Sequence, residues 1–277
     1  MAFYKCVNLD GSNEYVDCGN DASLRVLNNL SVNVWVNCGS QVTGDAIISK
    51  FYAGISERCW ILYAGPSDAQ TLRVIVSDDG SYGASNSKDW VTTNQVLTAG
   101  WHMVSMTFAT GTLKVYVDGV EIVAWTKTLD PAITSIFAGP NASTGIKIGA
   151  LTSGTPAAWA GKICNASVWQ TAVLSSTDIT NLYNGGTPKA PENITPTGGA
   201  SLLAAWLWET DTTYPTAVDR IGSSDGTMTN MEAGDVQDTA WEPPTGWSAG
   251  KVMGKDPASV TSVLSVPIAN IAKILGV

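Results

Sequence analysis

The chain has 277 residues, 44% of them hydrophobic and only 14% charged, with a formal net charge of -9. That balance describes a globular protein with a sizeable core, and it excludes the Lys/Arg-rich patches that nucleic-acid phosphates reward. No run of about 18 apolar residues is present, so no segment reads as a helical membrane span, and an acidic surface disfavours anionic lipid.

Residues 3–19 alternate enough for two short strands around Asp10-Gly11-Ser12-Asn13. Asp21 caps one predicted helical turn. Leu30 to Asn37 is a clean strand, with Leu30, Val32, Val34 and Val36 on one face. Trp35 falls on the other face with Ser31, Asn33 and Asn37, as a residue lining a concave or ligand surface would. Strand rhythm continues at Ala46 to Tyr52, Cys59 to Ala64 and Thr71 to Ser77. Residues 78–98 read as a polar loop that carries Tyr82 and Trp90.

The stretch from Trp101 to Glu121 is the most regular in the chain. Val104, Met106 and Phe108 alternate with Met103, Ser105 and Thr107; Leu113, Val115 and Val117 alternate with Lys114 and Tyr116. Ala109-Thr110-Gly111-Thr112 and Asp118-Gly119 supply the turns, the latter with the positive φ that hairpins need. Residues 128–145 and 151–158 read as loops, and Ile146 to Ile148 and Lys162 to Trp169 as strands. Leu174-Ser175-Ser176-Thr177-Asp178 caps a short helix that ends at Asn184-Gly185-Gly186. Residues 187–200 are a Pro/Gly linker, and Leu202 to Trp208 rejoins a sheet.

The pattern W-H-x-V-x-x-T followed by G-x-L-x-x-Y-V-D-G (Trp101 to Gly119) resembles the central hairpin of the laminin-G-like, concanavalin A-like jelly rolls. LDGSNEYVDCG (Leu9 to Gly19) is similar to that family's opening strands, and Gly161 to Gly186 to its late strand and short helix. Leu202 to Asp211 with Asp219 to Met231 resembles a strand and turn that often open such domains; here they come last, as in a circular permutation. The resemblance implies an all-β, two-sheet antiparallel jelly-roll sandwich over residues 1–246, with 187–200 as linker and 201–231 completing it.

Little chemistry is legible. The one histidine, His102, sits beside Trp101 at a strand start, where packing is expected. There is no P-loop, no GxGxxG and no cysteine pair with metal spacing. The Glu-x-Asp-x-x-Glu strand typical of the superfamily's hydrolases is missing, so no enzyme activity is expected. Jelly rolls of this class often bind one calcium ion, for which Glu209, Asp211, Asp219 and Asp225 are the candidate donors. Cys164 stands where the family carries a carboxylate, which favours a solvated acidic face; no other cofactor is expected. Glycan stacking on exposed aromatic rings has Tyr82, Trp90, Trp125 and Trp159 as candidates.

Residues 247–277 form an extended C-terminal tail in which 250–277 repeat with a period of 11: GKVMGKDPASV, TSVLSVPIANI, AKILGV. Val252, Val263 and Ile274 align as assembly positions. One copy buries too little apolar surface to stand alone, and the Pro and β-branched residues favour an extended or β form. The tail is similar to the Lys-Ile-x-Gly-Val repeats that end many tailed-phage virion proteins. The five cysteines and the absence of a leader-like N-terminus predict synthesis in a reducing cytosol with free, buried thiols. Together these imply a non-enzymatic virion structural or decoration protein, a capsid or tail appendage assembled in the host cytoplasm. Its expected partners are further copies of itself, as a homo-oligomer and preferably a trimer, other virion proteins and host surface glycans. A carbohydrate-binding lectin module of bacterial origin is the alternative.

Overall fold

The computed structural model describes residues 5–39, 41–141, 144–151, 157–208, 213–238, 262–263 and 266–267. In chain order the strands are β1 (Lys5–Asp10), β2 (Tyr15–Asp17), β3 (Asn29–Cys38), β4 (Ala46–Tyr52), β5 (Glu57–Ala64), β6 (Leu72–Gly80) and β7 (Ser87–Thr92). Next come β8 (Gly100–Ala109), β9 (Thr112–Val117), β10 (Val120–Glu121), β11 (Trp125–Leu129), β12 (Lys147–Ile148) and β13 (Ala160–Gln170). The helix α1 (Ser176–Tyr183) precedes β14 (Ser201–Trp206), β15 (Thr216–Ala217), β16 (Gly226–Thr229) and β17 (Val236–Asp238).

These strands form two antiparallel sheets, as the resemblance implied. The first runs β10-β9-β8-β3-β13-β1-β17, with β14 also paired to β13; the second runs β11-β7-β6-β5-β4-β12-β2-β16-β15. The β8–β9 and β9–β10 turns work because Thr110 (φ 44), Gly111 (φ 90), Asp118 (φ 53) and Gly119 (φ 80) all take the left-handed backbone that two-residue hairpins demand. Valines 32, 34 and 36, Met106 and Phe108 from one sheet share a core with Ile48, Leu62, Val74 and Val76 from the other. Alternation in every strand turns the opposite side chains outward.

The outer side of the first sheet is not a free surface. Trp35 is 1% exposed because α1 lies over it, stacking Tyr183 on the indole at 5.7 Å between ring centroids. The expectation that Trp35 lines a ligand surface is therefore corrected. The helix forms where its caps dictate: Ser175 accepts from the Asp178 amide, the Asp178 carboxylate accepts from the Ser175 amide, and Asn184 (φ 49) closes the end. Asp178 also accepts the Thr197 N–H at 3.0 Å, which fastens the 187–200 linker to the helix.

The C-terminal strands complete both sheets. β1 pairs with residues 160–163 of β13, and β14 with residues 166–170. β16 lies beside β2 in the second sheet, and β17 beside β1 in the first. Residues 78–98 depart from the loop expectation, since β6 runs to Gly80 and β7 occupies Ser87–Thr92. The charges that made the stretch look like a loop are neutralised in place, Lys88 by Asp130 at 2.8 Å and Asp89 by Arg73 at 2.5 Å. Of the tail, the described residues form one small hairpin, Ser262–Val263 with Val266–Pro267. Val263 lies in it, whereas Val252 and Ile274 lie outside the described residues.

Candidate functional site

Three of the four candidate aromatic residues converge on β7. Its period-two alternation sends Lys88 and Trp90 to one face and Asp89 and Val91 to the other. The edge strand β11 pairs alongside, with Trp125 opposite Thr92 and Lys127 opposite Trp90.

On the first face, Trp90 and Trp125 pack with ring centroids 5.7 Å apart at a tilt of 49°. The Lys127 ammonium lies 3.9 Å from the Trp90 ring centroid, a cation–π contact that covers the indole and leaves it 7% exposed. Asp130 gathers this cluster. It accepts from Lys88 at 2.8 Å, from Lys127 at 3.0 Å and from the Trp90 indole N–H at 3.1 Å. Burial opposes its ionisation, yet the two lysines hold its carboxyl below the usual range.

On the second face, the Arg73 guanidinium grips Asp89 through Nε–Oδ1 at 2.7 Å and Nη2–Oδ2 at 2.5 Å. The Tyr82 hydroxyl donates to the same carboxylate at 2.6 Å, and the residue as a whole remains 44% exposed. Arg73 also lies 5.2 Å from the Tyr63 ring centroid. Val91, directly opposite Arg73, floors an open groove of about 400 Å³ walled by Ser67, Asp68, Thr71, Thr93, Thr126 and Thr128. Asp68 accepts from Gln95 Nε2 at 2.8 Å and from the Gln70 amide at 2.9 Å, and those bonds lower its pKa. It is therefore ionised at neutral pH. The groove offers hydroxyls and one carboxylate, and the Trp90–Trp125 pair lies on the opposite face of the sheet. That set suits a neutral polyhydroxy ligand held by hydrogen bonds.

The other expected site residues lie elsewhere. Trp159 is 0% exposed and presents no ring face, which removes it from the glycan set. Asp219 is not a free oxygen donor: Oδ1 accepts the Ala205 and Ile221 amides at 3.0 and 3.1 Å, and Oδ2 the Ser224 amide at 3.1 Å. Asp225 in turn accepts the Asp219 N–H at 2.8 Å, so this pair builds the turn that receives the Trp206 indole N–H at Ser224 O. Glu209 and Asp211 lie outside the described residues. Among the described residues no group of three or more His, Cys, Asp or Glu is arranged to hold a metal ion. His102 staples the hairpin, with Nδ1 2.8 Å from Asp118 Oδ2 and Nε2 3.1 Å from Thr98 Oγ1.

Sequence reasoning missed Arg73, Asp89, Lys127 and Asp130, and with them the threonine wall. A signal existed: Lys88-Asp89-Trp90-Val91 and Trp125 to Leu129 both alternate with the strand period.

The sequence profile of the Concanavalin A-like lectin/glucanases superfamily matches residues 10–180, more than half of the chain. No curated protein matches. Among solved structures, a heptameric SAP-like pentraxin from Limulus polyphemus is similar at 15% identity and a TM-score of 0.45, over 72% of this chain and 91% of that one. Domain 4 of an extracellular arabinanase from Geobacillus stearothermophilus matches at 18% identity and a TM-score of 0.38, over 64% of this chain and 76% of its own. A Trypanosoma rangeli sialidase matches at 17% identity and a TM-score of 0.39, over 56% of this chain and 23% of the enzyme. By its profile match and its two-sheet antiparallel sandwich, the chain belongs to the concanavalin A-like lectin/glucanase superfamily.

Proposed function

We propose that this protein is a non-catalytic glycan-binding domain whose ligand lies along the groove between β7, β11 and the 66–71 turn. The observation that carries the reading is the open groove at a sheet edge, lined by the hydroxyls of Ser67, Thr71, Thr93, Thr126 and Thr128 with Asp68 beside them. A hydrolase of this architecture needs two carboxylates facing across about 5–10 Å; among the groove's described residues Asp68 is the only one, and both its oxygens are already engaged. A glycan array on the full-length chain, followed by titration of any hit, is the test. Saturable binding that Thr126→Trp or Thr128→Trp abolishes supports the groove. Binding that survives both moves the site elsewhere, and an array without a hit defeats the glycan reading.

The C-terminal repeat motivates a wider proposal: a tailed-phage virion appendage, assembled in the host cytoplasm as a homotrimer with other virion proteins as neighbours. Support comes from the 11-residue repeat and from the hairpin at Ser262–Val263 and Val266–Pro267. Light scattering on the full-length chain and on a version ending at Gly246 tests it. A trimer that collapses on truncation supports the tail as an assembly device; a monomer in both cases removes the trimer.

A further inference from the structure

Asn20, Lys50 and Glu57 meet at one end of the second sheet, beneath the segment that carries Gly139, Asn141 and Thr144. Lys50 is 1% exposed, which is rare for a lysine. Its Nζ lies 2.6 Å from Asn20 Oδ1, 2.7 Å from Thr144 O and 3.3 Å from Gly139 O. The other end of the Asn20 amide is held too, Nδ2 donating to Gly139 O at 2.9 Å and to Asn141 O at 2.5 Å. Glu57 is 9% exposed and accepts from the Asn141 amide and the Thr144 hydroxyl. The pocket has no slack: a Cβ on Gly139 would stand 2.6 Å from Cys59 Sγ and 3.1 Å from Lys50 Nζ.

We propose that the chain joins Lys50 to Asn20 through an intramolecular amide bond. The Lys50 nitrogen attacks Asn20 Cγ, the Cγ–Nδ2 bond breaks, and ammonia leaves with the proton the amine gives up. Atoms and charge balance without oxidant or cofactor. A neutral amine has two N–H donors, for which the Thr144 and Gly139 carbonyls are the acceptors, and the lone pair is left for the Asn20 amide. Burial lowers the Lys50 pKa to about 8, so the nucleophilic form is populated at mildly alkaline pH. Glu57, within electrostatic range of Lys50 and bound to the same segment, is the positioning residue that aids the proton transfer.

The test is the denatured intact mass of the full-length protein after prolonged incubation at mildly alkaline pH, with a peptide map. The expected result is the sequence mass less one ammonia, together with a branched peptide that links Asn20 to Lys50. Lys50→Met and Asn20→Ala abolish both signals, and Glu57→Gln slows their appearance. The full sequence mass, or an ammonia loss without the branched peptide, overturns the proposal, and the wild-type chain alone is enough to decide.

Discussion

Replacing Asp89 with alanine probes how dry the outer face of the second sheet is. The Asp89 side chain is 0% exposed and that of Arg73 20% exposed, so the ion pair sits in low dielectric on one side only. Its guanidinium bonds measure 2.7 and 2.5 Å, and each charge-assisted bond contributes about 1.5–3 kcal/mol. Removing one partner of a buried pair costs about 3–5 kcal/mol, because the remaining charge is stranded. Water reaches part of Arg73, which places Asp89→Ala near the low end, at about 3 kcal/mol. A domain of this size shifts by about 2–4 °C per kcal/mol, so Tm should fall by roughly 6–12 °C. Urea unfolding followed by tryptophan fluorescence measures the loss directly. The double variant Arg73→Leu/Asp89→Leu removes both charges and should lie within about 1 kcal/mol of the wild type. If Asp89→Ala costs less than about 1 kcal/mol, the pair behaves like an exposed one, and the premise of a desolvated wall beside the groove fails.

Tyr183→Ala should cost about 2 kcal/mol through loss of the Trp35 stack, and Tyr183→Phe well under 1, both read by thermal unfolding. Equal losses for the two variants would shift the credit from the ring to the hydroxyl. Asp219→Ala strands three backbone N–H groups and should cost about 2–4 kcal/mol, unchanged by calcium or by chelator. A loss that depends on calcium would instead make that carboxylate a ligand. Burial pushes the Cys59 thiol up to about 12 from an ordinary value of 9.0. The folded pKa is the higher one, so this stabilisation is complete below pH 9 and drains away as pH rises toward 12. Cys59→Ala should therefore flatten the alkaline decline measured by urea titration, and an unchanged slope would refute the assignment.

Local pattern carried most of the architecture. Period-two alternation in Leu30 to Asn37 and Trp101 to Val117, the Asp118-Gly119 turn, and the helix cap within Leu174 to Asp178 are short-range devices. Each acts through backbone geometry within a few residues, so the sequence by itself determined these strands, their hairpins and the helix, while the two-sheet sandwich followed from the resemblance its motifs carry. What lies on each outer face was a tertiary matter. Trp35 looked available until α1, nearly 150 residues later, brought Tyr183 onto it. Trp159 looked like an exposed ring for glycan stacking and is fully buried. Lys88 and Asp89 read as loop polarity because their partners, Asp130 and Arg73, lie on other strands or turns 42 and 16 residues away, and only pairing across strands makes such charges compatible with β7. The groove has the same origin. Ser67 and Thr71 of the 66–71 turn, Val91 and Thr126 come from three separate stretches, and strand register together with that turn sets them around one space.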